Sequence, residues 1–349
     1  MSRLSKFKIY LFVFIGSVFI FSCSSLEKSY RQDVNLYNQI IHDNQILIRC
    51  SLFDFFGKEI RSYPGEYCLP LRTGDLILYD GKNLIKLDKH NKKIWSRPTD
   101  LHHQLKTSSD QTKIYFFSSE YRRIENDLVR FDVFNIWNVN GEKILKKVLI
   151  FDPRTIHKTK FVINEWTADA HQGKSFEYTH YNSVQILESI SSDNQKRINF
   201  LLCENMNQMC YVTDQNIEQQ YSFQLFDRSI HDVSFLNTDE VIYYANKKIG
   251  AIKESCIVIF NLKTLKRRIL YGDRKGQEFY NPARGGVQPL MKNNFFLISH
   301  SPEERKSKFE LINLNGLVLL SNELNYTNRV LQDARAENFS EFLKNNIGN

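Results

Sequence analysis

The sequence predicts an all-β fold, a six-bladed β-propeller, on three observations. An inner-strand pattern returns five times, at residues 67–71, 103–105, 182–187, 231–236 and 285–290. A second pattern, an apolar strand ending in Asp or Asn and followed by a tight turn, returns six times. Together they fit the ~40–50-residue period of propeller blades. A repeat of this size cannot bury its own apolar face, so it is stabilised by stacking against its neighbours.

The elements follow in order. Residues 1–23 form a leader with a basic start (Arg3, Lys6, Lys8), an apolar run from Ile9 to Phe21, and Ser22-Cys23. The run is short against the ~20 apolar residues of a membrane-spanning helix and suits an export signal. Residues 24–44 are polar and aperiodic and read as a tether with a short helix. Residues 45–349 read as one propeller domain. Its first hairpin, 46–63, lacks an inner strand before it, so closure by C-terminal chain is expected.

The six turns begin at Asp54, Asp88, Asn138, Asp214, Asn261 and Asn313. Asp and Asn side chains hydrogen-bond the backbone of such turns, and Gly or Asn tolerates their positive φ. The gap between Asn138 and Asp214 is too long for one blade, so an inserted loop is expected around 153–173, carrying His157, Trp166 and His171. Residues 329–346 carry Glu, Ala and Lys at helical spacing and read as a short C-terminal helix.

The formal charge is +8, with Lys and Arg scattered among Asp and Glu. That pattern reads as a solvated surface, and a nucleic-acid partner is not expected. Five cysteines follow Cys23: Cys50, Cys68, Cys203, Cys210 and Cys256. Cys203 and Cys210 flank a hairpin and either bridge or remain buried thiols. No Cys-x-x-Cys, His-Glu-x-x-His or clustered Cys/His pattern points to a metal, and no cofactor is implied.

Ile20-Phe21-Ser22-Cys23 resembles a bacterial lipobox, in which the cysteine is lipidated. The resemblance implies a lipoprotein of the cell envelope anchored at Cys23. Ser24 after that cysteine favours the outer membrane.

A varying residue stands at the mouth of each inner strand: His103, Asn182, His231 and Gly285. The surrounding segments are His103-Gln104-Leu105, Thr179-His180-Tyr181-Asn182-Ser183-Val184, His231-Asp232-Val233 and the run from Tyr280 to Gln288. In this order they resemble the arylsulfotransferase (aryl-sulfate sulfotransferase) family of exported six-bladed propellers. The resemblance spans roughly residues 57–322. It implies that His231 takes a sulfuryl group from a phenolic sulfate and passes it to a phenol, with His103 and His180 as sulfate ligands or acid/base partners.

Two positions depart from that pattern. Asn205 stands where the family carries an arginine, and Ala245 where it tends to carry Asp. Arg284, beside Gly285-Gly286, is the expected substitute cation, with Asn182 and Asn205 as further substrate-binding residues. By alternation along a strand, only one of His102 and His103 faces the channel, and register with His231 selects His103. The implied partners are a phenolic sulfate or another anionic aromatic molecule, and the membrane. The alternative is a non-catalytic surface propeller that binds a protein, a glycan or an anionic ligand.

Overall fold

The computed structural model describes residues 45–48, 50–124, 127–151, 161–162, 175–190, 196–205, 207–227, 230–249, 252–273, 285–290, 294–303, 306–324 and 335–337. All of them belong to the unit 45–349. The leader, Cys23, the tether and Arg284 lie outside the described residues.

The described chain is all strand, arranged as six antiparallel blades. The first blade takes β1 (Gln45–Ile48), β2 (Ser51–Phe53) and β3 (Glu59–Ser62). Its remaining strand, β26 (Arg335–Glu337), comes from the far end of the chain and pairs with β1. Closure by C-terminal chain is thus observed. At 335–337, however, the chain is a strand and not part of the helix expected over 329–346. The hydrogen-bonding groups of β1 outweigh a local helical spacing once the ring closes.

The second blade is β4 (Tyr67–Pro70), β5 (Leu76–Tyr79), β6 (Asn83–Leu87) and β7 (Lys93–Pro98). The third contains β8 (Leu101–Thr107), β9 (Lys113–Ile124), β10 (Asp127–Asn138) and β11 (Lys143–Val148). Its β9–β10 hairpin is long, and two further strands join it, β12 (Phe161–Val162) and β13 (Ser175–Glu177). The insert expected around 153–173 is described only at β12, which adds to this sheet; His157, Trp166 and His171 lie outside the described residues.

The fourth blade is β14 (Tyr181–Ile190), β15 (Lys196–Glu204), β16 (Met209–Thr213) and β17 (Gln219–Gln224). The fifth is β18 (Ile230–Phe235), β19 (Glu240–Ile249), β20 (Ile252–Asn261) and β21 (Lys266–Tyr271). The sixth is β22 (Gly286–Leu290), β23 (Phe295–Glu303), β24 (Lys306–Asn313) and β25 (Val318–Leu324). Inner strands β4, β8, β14, β18, β22 and β26 follow one another around the ring.

Apolar clusters fill the spaces between blades. Leu69, Ile77, Trp95, Phe116 and Trp137 pack between the second and third, and Tyr115, Phe134, Tyr181 and Phe200 between the third and fourth. The middle strands are therefore covered on both faces, which is why Tyr115, Phe116 and Phe117 are all fully buried in succession. Burying each such side chain is worth roughly 2–3 kcal/mol.

The six turns join the third and fourth strands of each blade, and in every one the Asp or Asn side chain does the work expected of it. Asp54 Oδ1 accepts from the Phe56 and Lys58 amides, Asp88 from His90 and Lys92, and Asn138 from Asn140 and Glu142. Asp214, Asn261 and Asn313 repeat the pattern.

Two disulfides brace the sheets, Cys50–Cys68 and Cys203–Cys210. The second links directly opposed residues of β15 and β16, deciding the alternative left open above for that pair. Cys256 is a buried free thiol.

Candidate functional site

The inner strands of the third, fourth and fifth blades are each irregular at the same place. Register shifts fall between His102 and Leu105, between Tyr181 and Ser183, and between His231 and Ser234. Such bulges re-aim side chains and are common beside functional sites. Two of them contain a non-glycine residue in the left-handed region, His103 (φ 61°) and Asp232 (φ 48°). His103 thus corresponds to Asp232, and His102, the residue before, corresponds to His231. The bulge breaks the alternation on which the selection of His103 rested, and the two rings lie against each other.

The rings form a chain. His102 lies edge-on to His103 with centroids 4.9 Å apart, and His103 edge-on to His180 at 4.7 Å. All four histidines, His102, His103, His180 and His231, keep partial solvent access. His103 is held well below the ordinary histidine range. Burial is the main cause, followed by electrostatic coupling to His180, His102, Arg130 and His231 around it. At neutral pH it is therefore an uncharged imidazole.

Behind the rings sits Asp132, fully buried on β10. One of its oxygens lies 3.1 Å from His102 Nε2 and 3.4 Å from an Arg130 guanidinium nitrogen. The other accepts the Tyr181 amide at 2.7 Å. Burial by itself raises the Asp132 pKa, but His102 and the charges of Arg130 and His180 outweigh it and hold the carboxyl below its usual range. Arg130, His102 and Asp132 were absent from the sequence-based candidates. The signal available was His102 beside His103; nothing in the sequence tied Arg130 and Asp132 to strands far along the chain.

Hydrogen bonds lock the three inner strands together. Gln104 donates to Asp232 Oδ1 and accepts the Val184 amide at 2.9 Å. Ser183 Oγ accepts the Val233 amide at 2.8 Å, and Gln185 the Phe235 amide at 2.8 Å. Asn182 donates to the Ile230 carbonyl at 3.3 Å, which leaves its buried Oδ1 with no hydrogen-bond partner among the described residues. The Asn205 amide donates to the His180 carbonyl at 2.8 Å, fixing those two residues beside each other; Asn205 Oδ1 likewise has no partner among the described residues.

The glycine pair at the sixth blade has a steric role. A Cβ on Gly286 would stand 2.2 Å from Asp232 Oδ2, and one on Gly285 2.2 Å from the Tyr244 ring. Only glycine lets β22 approach that closely. Arg284 lies outside the described residues, so the cation observed near the histidines is Arg130. Ala245 is fully buried and pairs with Ile230.

Among the described residues, no three His, Cys, Asp or Glu side chains converge as a metal site. A separate cleft is lined by Lys113, Ile136, Leu145 and Asn216 among others, and by none of the four histidines.

No protein-family profile matches the chain, and no curated protein does. Solved structures match it at low identity. A protein of unknown function from Bacteroides caccae is 13% identical with a TM-score of 0.46, covering 80% of this chain and 94% of its own. TolB from Acinetobacter baumannii is 9% identical with a TM-score of 0.45, covering 84% and 66%. An oligogalacturonate lyase in complex with manganese is 10% identical with a TM-score of 0.39, covering 74% and 64%. At these identities the likeness carries nothing about substrate or reaction.

Proposed function

We propose that this protein is an exported, lipid-anchored propeller that transfers a sulfuryl group from a phenolic sulfate to a phenol, as arylsulfotransferases do. The observation that carries this reading is the convergence of His102, His103, His180 and His231 on one mouth beside Arg130. Sulfuryl transfer needs a neutral imidazole as nucleophile and positive or N–H donors for the charge on the sulfate oxygens. His231 is the nucleophile, His103 and His180 flank the sulfuryl group, and Arg130 supplies the cation that Asn205 cannot. The carboxamide oxygens of Asn182 and Asn205 suit a ligand that brings a hydrogen-bond donor, such as the hydroxyl of an acceptor phenol.

The anchor is the lipidated Cys23 at the cell envelope, on the outer membrane. Two disulfides support export, because they persist in oxidising compartments.

A second reading, a non-catalytic propeller that binds a protein, a glycan or an anionic ligand, is favoured by one observation. Asn205 is neutral where the resembling family carries an arginine, and losing a single charge-stabilising donor can cost ~10²–10³ in rate. Sulfuryl transfer from 4-nitrophenyl sulfate to a phenol distinguishes the two. Turnover by the wild type that drops at least ~10²-fold in His231→Ala supports the transferase. A folded wild type that turns over no donor with any acceptor leaves the binding reading.

A further inference from the structure

We propose that His102, oriented by Asp132, is the general acid–base of the site: it protonates the leaving phenolate and takes the proton of the incoming phenol. The inference rests on the sulfuryl-transfer reading and assigns a role that the sequence resemblance left to His103 and His180.

Three features place the proton on this residue. His102 Nε2 lies 3.1 Å from the buried Asp132 carboxylate, a group that cannot reorient into solvent. The carboxylate is itself pinned by the Tyr181 amide and by Arg130. Both ring nitrogens are buried and neither makes a hydrogen bond among the described residues; Nε2 has the ion-pair contact to Asp132, and Nδ1 has none. The ring is also fixed in plane, stacked against Phe117 (6.1 Å, 17°) and edge-on to His103. A histidine whose one nitrogen is anchored to a carboxylate and whose other nitrogen is unengaged is the arrangement that general acid–base catalysis requires.

His103, next in the chain, does not fit that part. It lies between His102 and His180 with positive neighbours on several sides, an environment that resists taking up a proton. The two adjacent histidines thus divide the work, one carrying the proton and one remaining uncharged beside the sulfuryl group.

The steps balance. The cycle begins with His102 as an imidazolium paired with Asp132. An imidazole nitrogen of His231 attacks sulfur, forming the N–S bond as the S–O bond to the aryl group breaks. His102 passes its Nδ1 proton to the departing oxygen and becomes neutral. The acceptor phenol then attacks sulfur, the N–S bond breaks, and the phenol's proton goes to His102, restoring the starting state. Asp132 stays ionised throughout and acts by positioning.

The test compares the wild type, His102→Gln and Asp132→Asn on two donors, 4-nitrophenyl sulfate and phenyl sulfate, with one phenol acceptor. The 4-nitrophenolate leaves without a proton, whereas the more basic phenolate needs one. The expected result is a loss of ~10²–10³-fold for His102→Gln with phenyl sulfate and a much smaller loss with 4-nitrophenyl sulfate. Asp132→Asn should show the same donor dependence. Because Asp132 is buried, its variant is checked for folding by circular dichroism, and His102→Gln alone decides if it fails. An equal loss with both donors overturns the assignment while leaving the transferase reading intact. A wild type that transfers from neither donor overturns both. A low-field proton resonance from the His102–Asp132 pair, absent in His102→Gln, is expected by NMR; its absence in the wild type also overturns the proposal.

Discussion

Glu310 offers a sharp test of how this propeller holds together. It is 2% exposed on β24, yet it sits among partners that favour its charged form. Tyr271 donates to it at 2.7 Å, Lys308 Nζ lies at 2.7 Å, Ser321 donates at 3.3 Å, and His300 Nε2 lies at 3.4 Å. Burial by itself raises the pKa of this carboxyl, but His300, Lys308 and Tyr271 overcome it and bring the group from an ordinary 4.5 to about 2. That drop corresponds to roughly 3 kcal/mol of stability. The sign follows from proton uptake. Below pH 4.5 the unfolded chain binds a proton that the folded protein refuses, so the contribution is complete above 4.5 and lost as pH falls through about 2. Glu310→Gln removes it at every pH. Urea unfolding followed by the fluorescence of the buried Trp95 and Trp137 measures both proteins. The gap between them should shrink by ~2–3 kcal/mol on going from pH 7 to pH 2.5. A gap unchanged across that range would refute the reasoning, because the network would then stabilise a protonated carboxyl as well as an ionised one.

Two further predictions concern the turns and the histidines. Gly316 holds φ +72°, and a Cβ there would stand 2.0 Å from the Leu270 carbonyl oxygen, so Gly316→Ala should cost at least ~2 kcal/mol in chemical denaturation. Leu265 adopts φ 55° with 63% of its surface exposed; Leu265→Gly should therefore stabilise by up to ~1 kcal/mol. His103 works in the same sense as Glu310, in a higher pH window. Its lowered pKa means that the unfolded chain takes up a proton near pH 6.5 that the folded site refuses, so stability falls as pH drops below 6.5. His103→Gln should flatten the pH dependence of unfolding between pH 7 and pH 5; an unchanged slope counts against a neutral, crowded His103.

The turns were legible residue by residue. Asp54, Asp88, Asn138, Asp214, Asn261 and Asn313 each accept hydrogen bonds from amides two to four residues on. Such contacts are written within one short segment, and the composition of the segment predicts them. Closure was legible for a related reason, since a first hairpin without an inner strand leaves an edge that something must cover. The identity of the covering segment misled. Residues 335–337 sit in a stretch whose Glu, Ala and Lys spacing reads as helical, but their strand partner lies at Gln45–Leu47, at the other end of the domain.

The site was legible only in part. His231 was singled out at a strand mouth and His180 by the family resemblance. His102 was set aside because a regular strand alternates, and the bulge that brings it beside His103 depends on pairing with β9, not on the residues of β8 alone. Nothing in the sequence singled out Arg130 or Asp132. They become site residues because the start of β10 lies against His102 and against the Tyr181 amide of the next blade.

The amino-acid sequence by itself determined the repeat, the number of blades and the turns that separate their strands, because those depend on hydrophobic pattern and on hydrogen bonds that span a few residues. Tertiary structure decided which side chains share a mouth. Placing Asp132 within 3.1 Å of His102, and its second oxygen within 2.7 Å of the Tyr181 amide, takes an assembled blade and its neighbour. The first contact is made across β8, β9 and β10 of one blade, and the second by the next blade packing against it; neither is written in a single strand.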